Sequence, residues 1–370
     1  MARLEDICSI NMGQSPESSS YNESGEGMPF FQGNADFGEL HPKVRIWCNA
    51  PTKIAECGDI LISVRAPIGA LNIANEQCCI GRGLAALTAN EALCDLKYLW
   101  YGLECKVDEL NSKGTGSTFK AINKKILAET EIYLPSLEEQ RRIAALLDKV
   151  SGLIAKRRAQ LDKLDLLIKA RFVEIFGDPS VNTKWSTMKL SQLGELNRGV
   201  SKHRPRNDPR LLGGAYPLIQ TGDVSNSGLY ILNYSSTYSE LGLEQSRLWK
   251  SGTLCITIAA NIAHTSILTY DCCFPDSVVG FVPNDNTNSV FVHYWFSFFQ
   301  KILEEQAPQV AQKNINLKIL SDLDVIVPPY TLQEDFSAFV GQVEKSKLTI
   351  QQSLDKLETL KKALMQQYFG

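Results

Sequence analysis

The sequence is poor in histidine and in the spaced cysteine pairs from which metal and redox sites are built. Its 370 residues hold only four histidines, His41, His203, His264 and His293, and none stands at ligand spacing from a cysteine or carboxylate. There are ten cysteines but no CxxC pair, so the spaced donors of a tetrahedral metal site are missing and no metal is expected. Cys78-Cys79 and Cys272-Cys273 are vicinal and lie in apolar runs, the pattern of buried thiols in strands. No apolar run reaches the roughly eighteen residues of a membrane span. The opening MARLEDICSINMG lacks the basic-then-apolar order of a secretory signal, and a cytoplasmic chain is expected. P-loop, HExxH and GxSxG patterns are also absent; the nearest stretch, Lys113-Gly114-Thr115-Gly116-Ser117, has neither the spacing nor the following lysine of a phosphate loop. A net charge of −3 argues against indiscriminate nucleic-acid binding and leaves room for a local basic face.

Two long stretches also lack any proline beyond their first three residues, and they are copies of one another. Leu134–Gly177 and Val327–Gly370 align without a gap from Pro135/Pro328 to Phe176-Gly177/Phe369-Gly370, an offset of 193, with LDKL at 161–164 and again at 354–357. The first copy carries a 3-4 seam of Leu147, Val150, Ile154, Arg157, Leu161, Leu164, Ile168, Arg171 and Ile175. The second carries Val340, Val343, Lys347, Ile350, Leu354, Leu357, Lys361, Leu364 and Tyr368. That period, held over about four heptads, predicts two long helices that pair as a coiled coil. Pro135, Pro328 and Pro329 sit where a helix can begin but not continue. The basic seam residues Arg157, Arg171, Lys347 and Lys361 can snorkel and set the register of pairing.

The chain outside the helices repeats as well. LEDICSINMG (4–13) parallels LSQLGELNRG (190–199), PFFQGN (29–34) parallels PLIQTG (217–222), GDILISV (58–64) parallels GTLCITI (252–258), and INKKIL (122–127) parallels INLKIL (315–320). Short β-branched runs bounded by Gly, Asn and Pro predict strands, while Cys94–Val107 and Val290–Glu305 read as helices. The expected fold is α+β: globular domains at 1–135 and 181–328, each followed by a long helix, at 136–180 and 329–370. If the second helix returns along the first, the pair is an antiparallel coiled coil with pseudo-twofold internal symmetry. Forty residues of helix make a rod of roughly 60 Å. Two similar but non-identical domains on such a rod form a ruler, suited to a ligand with two different sites at a fixed distance, and duplex DNA is the obvious one.

The order globular–helix–globular–helix, with LPSLEEQRRIAALLDKVSGLI (134–154) after the first domain, resembles the specificity (S) subunit of type I restriction–modification systems over the whole chain. ILISVRAPIGALNIA (60–74), GSTFKAINKKIL (116–127) and CFPDSVVGF (273–281) look like the target-recognition domains of that family. The resemblance implies that each globular domain reads one half of a split, asymmetric DNA site and that the helices are the spacer. It implies partners too: two methyltransferase subunits that methylate adenine with S-adenosylmethionine, and restriction subunits that complete the complex. No cofactor of the chain's own and no catalysis are implied. Domain two has a lead-in, Lys184-Trp185 before Leu190, that domain one lacks.

Candidate DNA contacts follow from charge and side-chain chemistry. Arg198–Arg210, RGVSKHRPRNDPR, carries Arg198, Lys202, Arg204, Arg206 and Arg210 against one acid, Asp208. A basic loop broken by Gly and Pro can reach phosphates or enter a groove. In domain one the candidates are Lys43, Arg45, Arg65, Arg82 and Lys120, with Lys313 added in domain two. Side chains able to pair with base edges are Gln32, Asn34, Gln220, Asn261 and Gln312. Gln32 and Gln220 hold equivalent repeat positions, which a shared fold constraint would also explain. Readout from loops is expected, since no helix-turn-helix pattern is visible. Val327-Pro328-Pro329-Tyr330 resembles the tetrapeptide that holds the target amine in adenine methyltransferases, but that role needs a polar residue where valine stands; it reads as a helix start. Two other classes remain: a non-catalytic coiled-coil scaffold joining two protein partners, and an enzyme with an unfamiliar motif.

Overall fold

The computed structural model describes residues 1–116, 120–181, 184–259, 262–306 and 315–370. The chain divides into two compact units, unit 1 comprising 1–159 with 351–370 and unit 2 comprising 160–350. Each unit therefore takes part of both long helices, Leu137–Phe176 and Tyr330–Phe369.

In unit 1 a four-stranded antiparallel sheet runs in the order Cys8–Met12, Leu84–Ala89, Ile60–Ser63, Leu71–Ile73. Its central strands, Leu84–Ala89 and Ile60–Ser63, read as near-continuous apolar runs because both faces are covered. Ile60, Ile62, Ala85 and Leu87 face the core that also holds the helices, while Leu61, Leu84 and Ala86 face a second core with Phe31, Cys78 and Ile80. The second core belongs to a five-stranded sheet in which Met28–Phe31 lies parallel to Cys78–Ile80. Unit 2 repeats the device: Leu254 and Ile256 enter its large core, and Cys255 between them enters a smaller one with Trp249 and Phe274. Its main sheet runs Gly194–Arg198, Val278–Pro283, Leu254–Thr257, Thr265–Leu268, Tyr230–Ile231, the last pair parallel.

A short antiparallel clasp closes each globular part: Ala2–Arg3 on Glu131–Ile132 in unit 1, Thr187–Lys189 on Asp324–Ile326 in unit 2. A two-residue strand thus precedes Leu4 as Thr187–Lys189 precedes Leu190. The clasp puts the exit of each globular part beside its entrance, so the long helix leaves from there. INKKIL and INLKIL become short helices whose N-terminal amides are capped by Asn123 and Asn316.

The long helices start after the prolines, and the first ends at Gly177, whose φ of +81° and N–H bond to Val173 O make a left-handed C-terminal cap. Every seam position named from the sequence is buried or half-buried, while the positions between are mostly exposed. Within unit 1, Ile143 and Leu147 share a core with Met365 and Phe369, and Arg158 pairs with Glu358 at 2.7 Å. Within unit 2, Phe172 packs on Phe336 at 5.4 Å and Lys347 bonds Asp165 at 2.8 Å. In both units the two helices run antiparallel. Burial opposes the charge of Lys347, but its hydrogen bonds to Asp165 and Glu344 prevail and raise its pKa. Lys361 likewise pairs with Glu104 at 2.8 Å.

The helix ends complete the cores. Phe176 meets Phe291 at 5.0 Å in unit 2, and Phe369 meets Tyr98 at 4.8 Å in unit 1. Phe176/Phe369 and Tyr98/Phe291 are both repeat pairs at the offset of 193, so each unit is finished by the helix that the other globular segment launches. All ten cysteines are free thiols. Cys78 and Cys79 sit in a strand as expected, whereas Cys272 and Cys273 make only single bridges, to Trp249 and Leu218.

His293, in the helix Ser289–Gln306, bonds Thr265 Oγ1 at 2.9 Å. Burial lowers its pKa from 6.5 to about 4 against the Thr265 bond, and the nearby Lys347 ammonium adds to the fall. The unfolded chain therefore binds this proton first, so the stabilisation is complete above pH 6.5 and is lost as pH falls towards 4. Its ceiling is about 3 kcal/mol. Urea midpoints should drop less between pH 7 and pH 4.5 for His293→Gln than for the parent chain; equal drops would remove His293 as the cause.

Candidate nucleic-acid interface

The polar side chains singled out in domain one converge on one place. Gln32, Asn34, Arg45, Arg65 and Arg82 line a single cleft of about 340 Å³, together with Ser63 and Gly83. Strand order explains the convergence. Met28–Phe31 lies between Ile46–Cys48 and Cys78–Ile80, so the residues just outside those three strand ends, Gln32, Arg45 and the Gly81-Arg82-Gly83 turn, are neighbours.

The backbone of Gln32 is held from both sides. Its N–H donates to Asp36 Oδ2 at 2.8 Å, and its carbonyl accepts the N–H of Gly83 at 3.1 Å. A Cβ on Gly83 would come within 2.4 Å of that carbonyl oxygen, so only glycine allows the approach that places Arg82 here. Asp36 is 7% exposed. Its other oxygen, Oδ1, accepts Arg45 Nε at 3.2 Å and a second, shorter bond from Arg45 Nη2. Lys43 is exposed and bonds Asp36 O through its own N–H at 2.8 Å. Lys120, also exposed, accepts the Ala66 N–H on its carbonyl at 3.1 Å, next to Arg65.

Unit 2 has a cleft of about 500 Å³, lined by Arg198, Arg206, Ile258, Asp276, Ser277 and Asn316. Gly83 and Ser277 border the two clefts at a matching point of the repeat: Val64 N–H bonds Gly83 O, and Ile258 N–H bonds Ser277 O. The basic loop is not opposed by one acid alone, as its own sequence implies. Asp276, seventy or more residues away, is a second: its carbonyl accepts Arg198 Nε and Nη2 at 2.9 and 2.7 Å, and its carboxylate accepts Arg206 Nη2. Arg204 Nη2 lies 4.0 Å from the same carboxylate. Asp208 takes the fork of Arg210, whose bonds hold that carboxyl well below the usual range. His203 also meets Asp208, at 3.0 Å. Lys202 is exposed.

Gln220 is exposed, and its N–H donates to Asp223 Oδ2 at 2.8 Å, the same clamp that Asp36 puts on Gln32. Gln220 does not line the second cleft among the described residues. Asn261, Gln312 and Lys313, with residues 117–119 of the polar loop 115–120 and the whole loop 309–314, lie outside the described residues. Among the described residues no group of three or more metal-ligating side chains occurs, and no helix is long and apolar enough to cross a membrane. Pro328 uses its carbonyl to accept Gln333 Nε2 at 3.0 Å at the start of the second long helix, which fits the structural reading of Val327–Tyr330. Sequence reasoning missed Asp36 and Asp276. The first was legible as an acid four residues after Gln32, mirrored by Asp223 after Gln220; the second was not, because its partners are remote.

A family model described as the type I restriction modification DNA specificity domain matches residues 1–164 and 182–361. A protein of Methanocaldococcus jannaschii described as the MjaX specificity subunit of a type I restriction enzyme is 46% identical over 156 residues, covering 42% of this chain and 37% of its own length. The MjaIX specificity subunit of the same organism is 32% identical over 123 residues, 33% of this chain and 28% of that one. The aligned part thus spans about a third of these relatives. The EcoBI specificity subunit of Escherichia coli is 21% identical over 357 residues, covering 84% of this chain and 73% of its own. Among solved structures, the S subunit of a type I restriction–modification system from M. genitalium superposes with a TM-score of 0.60 at 16% identity, covering 100% of this chain and 95% of the other. At that identity the likeness is one of fold.

Proposed function

This chain belongs to the type I restriction modification DNA specificity family, and we propose that it is the DNA-reading, non-catalytic subunit of such a complex. Each unit reads one half of a bipartite, asymmetric duplex site. Two methyltransferase subunits using S-adenosylmethionine dock on the chain and flip an adenine in each half-site, and restriction subunits complete the assembly. The observation that carries this reading is the paired clefts. Each unit presents arginines beside polar side chains in a cleft bordered at the matched point Gly83/Ser277, and a buried or half-buried carboxylate holds an arginine in each. The lining differs between the two, which suits half-sites of different sequence. Arginine forks and amides are the side chains that pair with base edges, and the surrounding lysines and arginines supply phosphate contacts.

The test is to map methylated adenine across the source genome by single-molecule sequencing, with and without this gene. Two short dissimilar half-sites around a fixed gap, lost on deletion, are expected. A motif that survives deletion would assign the methylation elsewhere and leave the coiled-coil scaffold as the better reading.

The long helices, forty residues each, are the spacer in this proposal. Inserting one heptad into both, after Ala159 and after Ile350, adds about 10 Å of helix, or about 3 base pairs at 3.4 Å per step. The gap in the methylated motif should lengthen by about that amount with the bases unchanged. An unchanged gap would count against the spacer role.

A further inference from the structure

We propose that Arg45, oriented by Asp36, reads a guanine in the half-site of unit 1. The proposal rests on the DNA-reading function above and goes beyond it by naming a specificity-determining residue, its positioning residue and the base. Three observations carry it.

The first is the geometry of the guanidinium. Arg45 spends its Nε–H and one Nη2–H on Asp36 Oδ1, and three of its five N–H donors remain. Those three include the whole Nη1/Nη2 edge, which is the fork that pairs with guanine O6 and N7. The side chain is 61% exposed although its anchoring carboxylate is only 9% exposed. A buried acid thus holds an exposed fork, and a planar fork held on one edge loses little freedom when its other edge binds.

The second is the company it keeps. Asp36 fixes Arg45 with one oxygen and the Gln32 N–H with the other, so a single carboxylate sets both side chains in register on one cleft wall. Arg65 and Arg82 line the same cleft, giving it the positive character that draws a phosphate backbone over it.

The third is the comparison between the repeats. In unit 2, Asp223 makes the same bond to the Gln220 N–H, at 2.8 Å, but its other oxygen meets Ser235 Oγ at 3.1 Å instead of an arginine. The fold therefore needs the backbone half of this device in both units. Among the described residues the arginine half belongs to unit 1 alone, as a residue serving specificity would.

The experiment uses the full chain assembled with its methyltransferase partner and reads the methylated motif by sequencing for the parent, Arg45→Lys and Asp36→Asn. Lysine keeps the charge and loses the fork; asparagine keeps an acceptor for the Gln32 N–H and loses the charged anchor. Arg45→Lys should relax one G·C position in one half-site by about 10- to 100-fold and leave the other half-site intact. Asp36→Asn should relax the same position by less. A motif unchanged in Arg45→Lys overturns the proposal. An even loss of methylation at all sequences makes Arg45 a phosphate contact and overturns it too. If Asp36→Asn does not fold, Arg45→Lys decides alone. A parent complex that yields no bipartite motif would instead sink the DNA-reading function on which the inference stands.

Discussion

Phe172→Ala is expected to destabilise unit 2 by about 3–5 kcal/mol, the usual cost of emptying a buried phenylalanine site. Phe172 is fully buried, and its ring lies 4.9–5.6 Å from those of Phe176, Phe291, Phe298 and Phe336. Those rings come from both long helices and from the helix Ser289–Gln306. Three elements that meet at one side chain cannot all close over its absence, so a cavity term adds to the lost burial. For a unit of 150–250 residues the melting temperature should fall by roughly 6–20 °C. Hydrogen exchange should place the lost protection in unit 2. Leu166→Ala is the control: Leu166 lies six residues earlier on the same helix and is 64% exposed, so its truncation should cost within about 0.5 kcal/mol. Equal effects from the two substitutions would contradict the aromatic cluster as the anchor of the helices in unit 2.

The second large effect is expected at a buried amide that occurs once in each unit. Gln140 donates through Nε2 to Leu93 O at 3.0 Å and Pro135 O at 2.9 Å, and its Oε1 accepts the Asp95 N–H at 2.9 Å. Gln333 donates to Asn286 O and Pro328 O, both at 3.0 Å, and accepts Thr287 Oγ1 at 2.9 Å. Each glutamine stitches the first turn of a long helix to the loop that precedes the shorter helix behind it. Replacement by leucine, which fits the volume, strands three polar groups in a closed site at about 1–3 kcal/mol each. With partial relief from water, about 3–5 kcal/mol is expected. Gln140→Glu should cost at least as much, since it turns an acceptor towards two carbonyl oxygens. Denaturant midpoints for Gln140→Leu, Gln333→Leu and the double variant test this. The cost of the double variant should be close to the sum, because the two sites share no partner. A cost below about 1 kcal/mol for either single variant would mean that water replaces the amide.

The repeat made much of this molecule legible. The 3-4 spacing over residues 147–175 and 340–368 identified most of the buried stripe of each long helix, though not Phe172 or Met365, which are buried off that seam, because a side chain's direction on a helix follows from its place in the turn. The alignment of INKKIL with INLKIL paired two segments that fold as Asn-capped helices, since a cap acts over three residues of local chain. Gln32, Asn34, Arg45, Arg65 and Arg82 were chosen one by one for their chemistry, and the strand order of one sheet brings them to one cleft.

By itself the sequence determined that the chain is a doubled unit, that its two long helices pair through an apolar stripe, and that no familiar catalytic or metal-binding pattern is written into it. These are properties of periodicity and of motif, and both are local. Only the tertiary structure decided which arginines are anchored and by what. Asp276 holds Arg198 and Arg206 across seventy or more residues, and Asp36 ties a side chain nine residues ahead to a backbone four residues behind. The basic loop, a plain excess of charge when read along the chain, becomes a set of ion pairs in space. The physical reason is that a charge is neutralised by whatever folds up against it, and sheet order, which no single strand reveals, determines what that is.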